Sequence, residues 1–154
     1  MKKVIALSIM FLAVSLFSSV FALENAREAV IVDIKGVVEV QKAAEKWKAA
    51  EKGMVLAQGD TVRTKSDSQA VLGVDDEGKT TTVEMKENSQ LQLAVLLGGK
   101  EAAVQSTLLD LSMGEVLIKA QKIHSEESKF EVKTPTSIVG IRGTIFSVTV
   151  EAGE

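Results

Sequence analysis

Short runs rich in β-branched and apolar residues recur along the chain, and most of them end at Gly, Asp, Asn or Ser. Few of them show the 3.6-residue period of an amphipathic helix. Such runs at roughly ten-residue spacing are typical of an all-β domain, which is the predicted fold class. The predicted strands are AVIVDI (29–34), GVVEVQ (36–41), DTVRT (60–64), AVLGV (70–74), TTTVEM (80–85), QLQLAVL (90–96), STLLDL (106–111), GEVLIKA (114–120), KFEVKT (129–134) and TIFSVTV (144–150).

Apolar and polar residues alternate within several of these runs, and the alternation predicts which side chains face the core. The predicted core residues are Val83, Met85, Leu91, Leu93, Phe130, Val132, Phe146, Val148 and Val150. Segments 75–79 and 98–100 contain residues that tolerate positive φ, so we expect tight turns there.

The segment Lys42–Gly53 (KAAEKWKAAEKG) departs from the strand pattern. It consists mostly of strong helix formers and ends at a glycine, as a surface helix with a Gly C-cap would. The segment is short for an isolated helix. Within a β domain it would instead form a hairpin whose tryptophan, Trp47, tucks its ring under the sheet, and both alternatives stay open.

The N-terminus has the features of a secretory signal. Two lysines precede an uncharged run (4–23), and Val20 and Ala22 are small residues at the −3 and −1 positions of a cleavage site. We expect residues 1–22 to be a signal peptide and residues 23–154 to be a domain in the periplasm or at the cell surface. An uncleaved membrane anchor is the alternative, since the run is about as long as a membrane-spanning helix.

Charge and residue counts argue against several kinds of site. Without the two N-terminal lysines, 16 of the 18 basic residues remain against 21 acidic ones, with no long run of either sign, so no nucleic-acid surface is expected. There is no cysteine, and the single histidine, His124, lies in a polar stretch typical of a solvated loop. These counts disfavour a catalytic triad and a transition-metal site, so no enzymatic activity and no cofactor are predicted.

Three short motifs partly match known ligand-binding loops. The acidic segment 75–78 lacks the alternating oxygen ligands of an EF-hand loop, and segment 98–100 lacks the earlier glycine of a phosphate-binding loop. Both are predicted to be turns. Gly140 and Gly143 have the spacing of a KH-domain G-x-x-G loop, but their flanks are strand-like instead of helical.

The segment Thr134–Val148 (TPTSIVGIRGTIFSV) combines the only proline of the chain with two glycines around an arginine. Pro135 suits a strand end or a corner, and Gly140 and Gly143 can take backbone angles closed to other residues. The apolar residues expected to anchor this segment are Ile138, Ile141, Ile145 and Phe146.

Arg142 stands between these glycines, and its guanidinium needs acceptors for its donors. We expect an internal carboxylate or carbonyl cluster to supply them, with Asp60 as the first candidate. An external ligand or partner protein is the alternative.

Taken together, the motifs described above, from Trp47 to the segment Thr134–Val148, resemble the FecR domain family. The similarity covers nearly all of residues 23–154, and its most specific part is the closing Thr-Pro, Arg-Gly-Thr and Phe. A Gly-Asp turn followed by Arg-Thr is the second anchor. The motif residues are Gly59, Asp60, Arg63, Thr64, Thr134, Pro135, Gly140, Arg142, Gly143, Thr144 and Phe146.

The resemblance implies a non-enzymatic extracytoplasmic domain of short strands, β-solenoid-like or sandwich-like, in which the motif residues have a structural role. The best-known members are transmembrane regulators that relay a signal from an outer-membrane transporter to a cytoplasmic sigma factor. Only three residues precede the apolar run here, so the chain is more similar to stand-alone exported members. Many relatives continue with further strands, so we expect a truncated or compact variant of the domain.

The function implied by the resemblance is a protein-binding or signalling module whose partner is an unknown envelope protein. Arg142 and Trp47 are candidate partner contacts. One alternative is a component of transmembrane signalling between sigma and anti-sigma factors. Another is a glycan or cell-wall binding module, which would usually present exposed aromatic platforms, whereas this chain has one Trp and no Tyr.

Overall fold

The computed structural model contains twelve β-strands and no helix within the residues it describes, so the all-β prediction is confirmed. The described residues are 26–43, 45–75, 81–99, 104–120 and 126–151. The predicted signal segment, His124 and most of the 75–79 turn lie outside these ranges. The strands are β1 (Ala29–Lys35), β2 (Val38–Gln41), β3 (Lys48–Ala49), β4 (Val55–Leu56), β5 (Thr61–Thr64), β6 (Gln69–Gly73), β7 (Thr82–Met85), β8 (Gln90–Leu97), β9 (Ser106–Ala120), β10 (Lys129–Lys133), β11 (Ile138–Gly140) and β12 (Thr144–Val150).

The long strand β9, with 15 residues, organises the sheet. Its first half pairs with β8 on one side and with β10 on the other, while its second half pairs with β7 and β12. The strand order β3-β2-β5-β8-β9-β7-β6-β1-β4 describes one curled half-barrel sheet with β9 in both of its halves. This curled sheet takes the place of both the solenoid-like and the sandwich-like alternatives.

The sheet bends along a line of four residues with positive φ, which we call the corner row. It consists of Gly36 (φ 75°), Asp67 (54°), Asn88 (51°) and Gly114 (90°). Three of them separate consecutive strands, β1 from β2, β5 from β6 and β7 from β8, and Gly114 lies within β9. A residue with positive φ interrupts extended geometry, and Gly, Asn and Asp are the residues that adopt it most readily. The four corners lie side by side, because the two strands that meet at one corner pair with the two strands that meet at the next. Thus β1 and β2 pair with β6 and β5, β6 and β5 pair with β7 and β8, and β7 and β8 pair with the two halves of β9.

Both halves of the sheet contribute to one hydrophobic core. Seven of the nine predicted core residues are buried, namely Val83, Met85, Leu91, Leu93, Phe130, Val132 and Val148. Val150 is only partly buried at the margin of the core. The prediction for Phe146 is wrong, since this side chain is 38 % exposed. Phe146 lies on β12, a strand whose only described partner is β9, and this position at the sheet margin leaves the ring partly uncovered.

The segment Lys42–Gly53 forms a hairpin arm and not a helix. Strand β3 pairs with β2 in antiparallel register, with Glu39 opposite Ala49 and Val40 opposite Lys48. The hairpin alternative is therefore confirmed and the helix alternative is wrong. A short helix gains little without tertiary contacts, whereas the strand completes a ladder with an existing neighbour.

Candidate functional site

The predicted motif residues lie in separate parts of the sheet and do not form one site. Gly59 and Asp60 form the turn before β5, and Arg63 and Thr64 are on β5 itself. The remaining motif residues lie along the C-terminal arm, which we define as residues 129–150 with strands β10, β11 and β12. The geometry of each group indicates whether it maintains the fold or is available to a ligand.

Asp60 is buried and closes a turn. Its Oδ2 accepts a hydrogen bond from the backbone N–H of Ala57 at 2.9 Å, and its Oδ1 accepts one from the N–H of Ala43 at 3.3 Å. The ammonium of Lys42 lies 3.4 Å from Oδ2. These contacts tie the β2–β3 loop to the turn before β5. The predicted pairing of Asp60 with Arg142 is therefore wrong, because local amides and a lysine occupy this carboxylate.

Arg63 connects a carboxylate to an aromatic ring on the outer surface of the sheet. Its Nε donates to Oε2 of Glu39 at 2.6 Å, and its guanidinium carbon lies 3.9 Å from the centroid of the Trp47 ring. This hydrogen bond is the main cause that lowers the pKa of Glu39, and Lys65 at 3.2 Å adds to it. The cation–π contact gives Trp47 a role within the fold. A contact between Trp47 and a partner stays a prediction.

Thr64 is buried beside the corner row, where hydroxyl groups connect neighbouring strands. Its Oγ1 donates to the carbonyl of Lys86 at 2.6 Å and accepts the N–H of Ser89 at 3.0 Å. The Oγ of Ser89 in turn accepts the N–H of Glu115 at 3.0 Å. A Cβ placed on Gly114 would lie 2.2 Å from that same Oγ, so only glycine fits there without a shift.

The same arrangement recurs one corner away. The N–H of Val37 donates to Oγ of the buried Ser68 at 2.8 Å, and a Cβ on Gly36 would lie 2.4 Å from this oxygen. Sequence reasoning missed these serines and glycines. Their signal was a repeat, because Asp67-Ser68-Gln69 and Asn88-Ser89-Gln90 each combine a positive-φ Asp or Asn, a buried Ser and the first residue of a strand.

An open cleft of about 560 Å³ lies beside the corner row, and charged side chains of both signs line it. One of them, Glu87, accepts the backbone N–H of Asp67 at 2.7 Å, and another, Lys86, lies 2.6 Å from a carboxylate oxygen of Glu84. Structural contacts thus occupy both groups. Across the described ranges, no group of three or more His, Asp or Glu side chains could hold a metal ion.

The C-terminal arm begins with a hairpin built by the Thr-Pro motif. Thr134 is buried, its N–H donates to the carbonyl of Ser137 at 2.8 Å, and its Oγ1 accepts the N–H of Ser137 at 3.0 Å. Pro135 is exposed in this turn, where a fixed φ and a missing N–H have no cost. After β11 the N–H of Ile141 donates to the carbonyl of Phe130 at 2.7 Å, and the side chain of Ile141 is buried.

Beyond Ile141 the arm turns outward. Arg142 is exposed and makes no hydrogen bond or ion pair with any part of the chain that the structure describes. Gly143 follows with φ 105°, and β12 then begins at Thr144, opposite Ala120 of β9.

The expectation that four apolar residues anchor the C-terminal arm holds only for Ile141. Ile138 is 64 % exposed, Ile145 67 % and Phe146 38 %. Gly140 is also exposed, with open space where a Cβ would be.

The sequence model of the family described as FecR protein matches residues 60–154. The chain belongs to the FecR family. The matched range begins at Asp60 and includes Arg63, Thr64 and the whole C-terminal arm. Searches of the curated proteins and of the solved structures gave no match to the chain.

The FecR domain is associated with signalling between sigma and anti-sigma factors, and the family is not known for catalysis. FecR proteins are generally associated with the cell envelope. Within the described ranges of this FecR-family chain, no helix is long and apolar enough to span a bilayer.

Strand β12 gives this FecR-family domain an unusual edge. It pairs with β9 along all seven residues, and no other strand in the described ranges pairs with its opposite side. The strand TIFSVTV contains no charge, no proline and no register shift. Natural edge strands are usually protected by charged side chains, prolines or bulges. An exposed edge that lacks all three is open to pairing with another chain.

Sequence reasoning also missed a buried arginine. The guanidinium of Arg27 donates to Oγ1 of Thr107 on β9, and its backbone N–H donates to the carbonyl of Leu96 at 3.0 Å. Arg27 therefore fixes the start of the described chain against β8 and β9. Its polar neighbours in the sequence gave no sign of this burial.

Proposed function

We propose that this chain is a non-enzymatic protein-binding module of the bacterial envelope that takes part in signalling. The observation that carries the proposal is the uncharged outer edge of β12, which pairs with no strand in the described ranges, with exposed Ile145 and Phe146 on the two faces of the strand. Membership of a signalling family and the secretory pattern of residues 1–22 support it.

The proposed mode of binding is strand addition. In an antiparallel strand every second residue directs its N–H and C=O to the side away from its partner, so β12 offers a ladder of backbone groups to an extended segment. A strand from a partner would complete this ladder, and the side chains beside it would add affinity.

The exposed side chains set the scale of that affinity. Burying a Phe side chain removes about 150–250 Å² from water, so the exposed 38 % of Phe146 is worth about 2 kcal/mol at 25 cal/mol per Å². Ile145, which is 67 % exposed, adds about 1–2 kcal/mol on the same scale. Together with backbone bonds, this suits a specific and reversible contact.

The structure offers less for glycan binding. A sugar-binding platform needs an accessible aromatic ring, yet Trp47 is half-buried and already contacts Arg63. Among the described residues, the other aromatic side chains are Phe130, which is buried, and Phe146 at the strand edge.

The test is site-specific photo-crosslinking in the envelope. A crosslinker at Ser147, whose side chain is exposed on β12, is expected to capture a protein partner, and Ile145→Lys is expected to abolish capture because an edge lysine opposes strand pairing. Val55→Lys is the matched control, since Val55 is 45 % exposed on β4, which lies at the other end of the run of paired strands β12-β9-β7-β6-β1-β4. Capture that Ile145→Lys leaves unchanged, or no capture of any protein, would overturn the proposal.

A further inference from the structure

We propose that the partner strand at this edge is β12 of a second copy of this chain, paired antiparallel about a two-fold axis at Ser147. The inference rests on the proposed function, because it assigns an occupant to the same edge. Three observations support it: the composition of the strand, the alternation of its faces, and the charges at its two ends.

The strand is compatible with its own copy. Like charges that face each other across two strands are destabilising, and a strand that meets itself risks this at every charged position. None of the seven residues of β12 is charged, so self-pairing has no such cost. Its β-branched and aromatic residues are those that form favourable cross-strand pairs.

The register about Ser147 also puts the core-directed faces of the two β12 strands on one side of the joined sheet and their outer faces on the other. It places Phe146 of one copy opposite Val148 of the other, and both residues lie on the face of β12 that is directed to the core. It places Ile145 opposite Thr149 on the outer face. The two sheets would thus continue across the axis with their cores on the same side, and the exposed part of Phe146 would be covered.

The charges at the ends of the strand complement each other in this register. Glu151 of one copy falls opposite Gly143 of the other, one residue along the chain from Arg142. Strict alternation would put Glu151 and Arg142 on opposite faces, but Gly143, with φ 105°, interrupts the extended geometry between Arg142 and β12. Both charged side chains are exposed, and Arg142 makes no ion pair within the described part of its own chain. The dimer would form the ion pair between Glu151 and Arg142 twice, once at each end of the paired β12 strands. Glu151 would then be the acceptor for Arg142 that Asp60 is not.

The absence of cysteine from the chain makes a register test direct. In the proposed dimer Ser147→Cys faces its own copy at a Cα separation of about 4.5–5.5 Å, within the range of a disulfide. Ile145→Cys and Thr149→Cys are each displaced from their own copy by four residues, about 14 Å along the strand, so they serve as matched controls. We expect rapid crosslinking at position 147 and little at 145 or 149, whereas equal crosslinking at all three would overturn the register.

Sedimentation of the full chain then tests the dimer and its charges. We expect a dimer that Ile145→Lys converts to monomer and that Val55→Lys leaves intact. Arg142→Glu and Glu151→Arg should each raise the dimer dissociation constant about three- to ten-fold, and the double reversal should restore it to within about two-fold.

The outcomes separate this inference from the proposed function. A monomer at the highest soluble concentration, together with capture of a different protein at Ser147, would refute the second copy and leave the binding edge in place. A monomer that captures nothing at this edge would refute both. A dimer unaffected by Ile145→Lys would place the self-contact elsewhere and refute this inference.

Discussion

Replacing Gly114 by alanine tests whether the corner row requires the close approach of Gly114 to Ser89. Gly114 has φ 90° in the middle of β9, and an added Cβ would lie 2.2 Å from Oγ and 2.4 Å from Cα of Ser89. Side-chain atoms do not approach this closely, and one of the two contacts is with backbone. Either β9 moves away from the 86–89 corner or the hydroxyl leaves the N–H of Glu115.

The expected cost has two parts. A non-glycine residue held at such a φ costs about 1–3 kcal/mol. Making room in a packed region costs about another 1–3 kcal/mol. The sum, about 4 kcal/mol, is a large part of the 5–15 kcal/mol that stabilises an ordinary domain. It corresponds to a fall in melting temperature of roughly 10–20 °C for a domain of this size.

Gly53→Ala separates the two parts. Gly53 has a similar φ of 84°, but nothing lies within 4 Å of the position that a Cβ would take. The two variants should therefore share the backbone strain, and Gly114→Ala should lose about 1–3 kcal/mol more. Urea unfolding followed by circular dichroism measures both. Equal losses would show that the close approach of Gly114 to Ser89 contributes nothing, and the explanation of the corner row would fail.

Three further predictions concern the motif residues. Asp60→Ala removes a buried carboxylate that accepts the part-buried amides of Ala43 and Ala57, and it should lower the free energy of unfolding by about 1.5–3 kcal/mol in urea titrations. Asp33→Ala, at an exposed ion pair, should cost under about 0.5 kcal/mol, and equal losses would contradict this. The lowered pKa of Glu39 means that its ion pair with Arg63 stabilises the fold fully above the ordinary value of 4.5, and that this contribution is lost as pH falls through the lowered value. Glu39→Gln should thus unfold more easily than wild type at pH 7, with a difference that shrinks in acid, and a constant difference would refute the assignment. Gly143→Val puts a β-branched residue at φ 105° and should lower the free energy of unfolding by about 1–3 kcal/mol, so a variant with normal melting would contradict a structural role for this glycine.

The sequence predicted most of the strands and most of the core because a period of two is a property of each strand by itself. It divided β9 into two strands, 106–111 and 114–120, and did not predict β4 or β11. The error at Phe146 shows the limit of that signal. Alternation assigns a side chain to a face, but it does not show whether the opposite layer extends far enough to cover it. The choice between helix and hairpin for Lys42–Gly53 also depended on a distant partner, since β2 offers a ladder that local propensity does not reveal.

The predicted pair of Asp60 and Arg142 failed for a local reason. The acceptors of an aspartate in a turn are readily occupied by backbone amides a few residues away, and here the N–H of Ala57 is three residues back. The charge of Arg142 suggested a distant ion pair, whereas the nearby backbone N–H groups are the donors that Asp60 accepts. The corners at Asp67 and Asn88 could have been predicted, because the repeated Asp-Ser-Gln and Asn-Ser-Gln segments mark both of them in the sequence.

The contacts divide the family motif into residues that the fold consumes and residues that it leaves available. Asp60, Thr64 and Thr134 are buried, and their side-chain oxygens are hydrogen-bonded to backbone groups of the chain. Arg142 and Phe146 do not, since one is exposed without an intramolecular partner in the described ranges and the other is only partly covered. A requirement of the fold explains the first group completely and the second group hardly at all. Arg142 lies two residues before β12 and Phe146 lies within it, and in the described ranges no strand pairs with the outer edge of β12. A partner strand at this edge would therefore contact both residues that the fold leaves available.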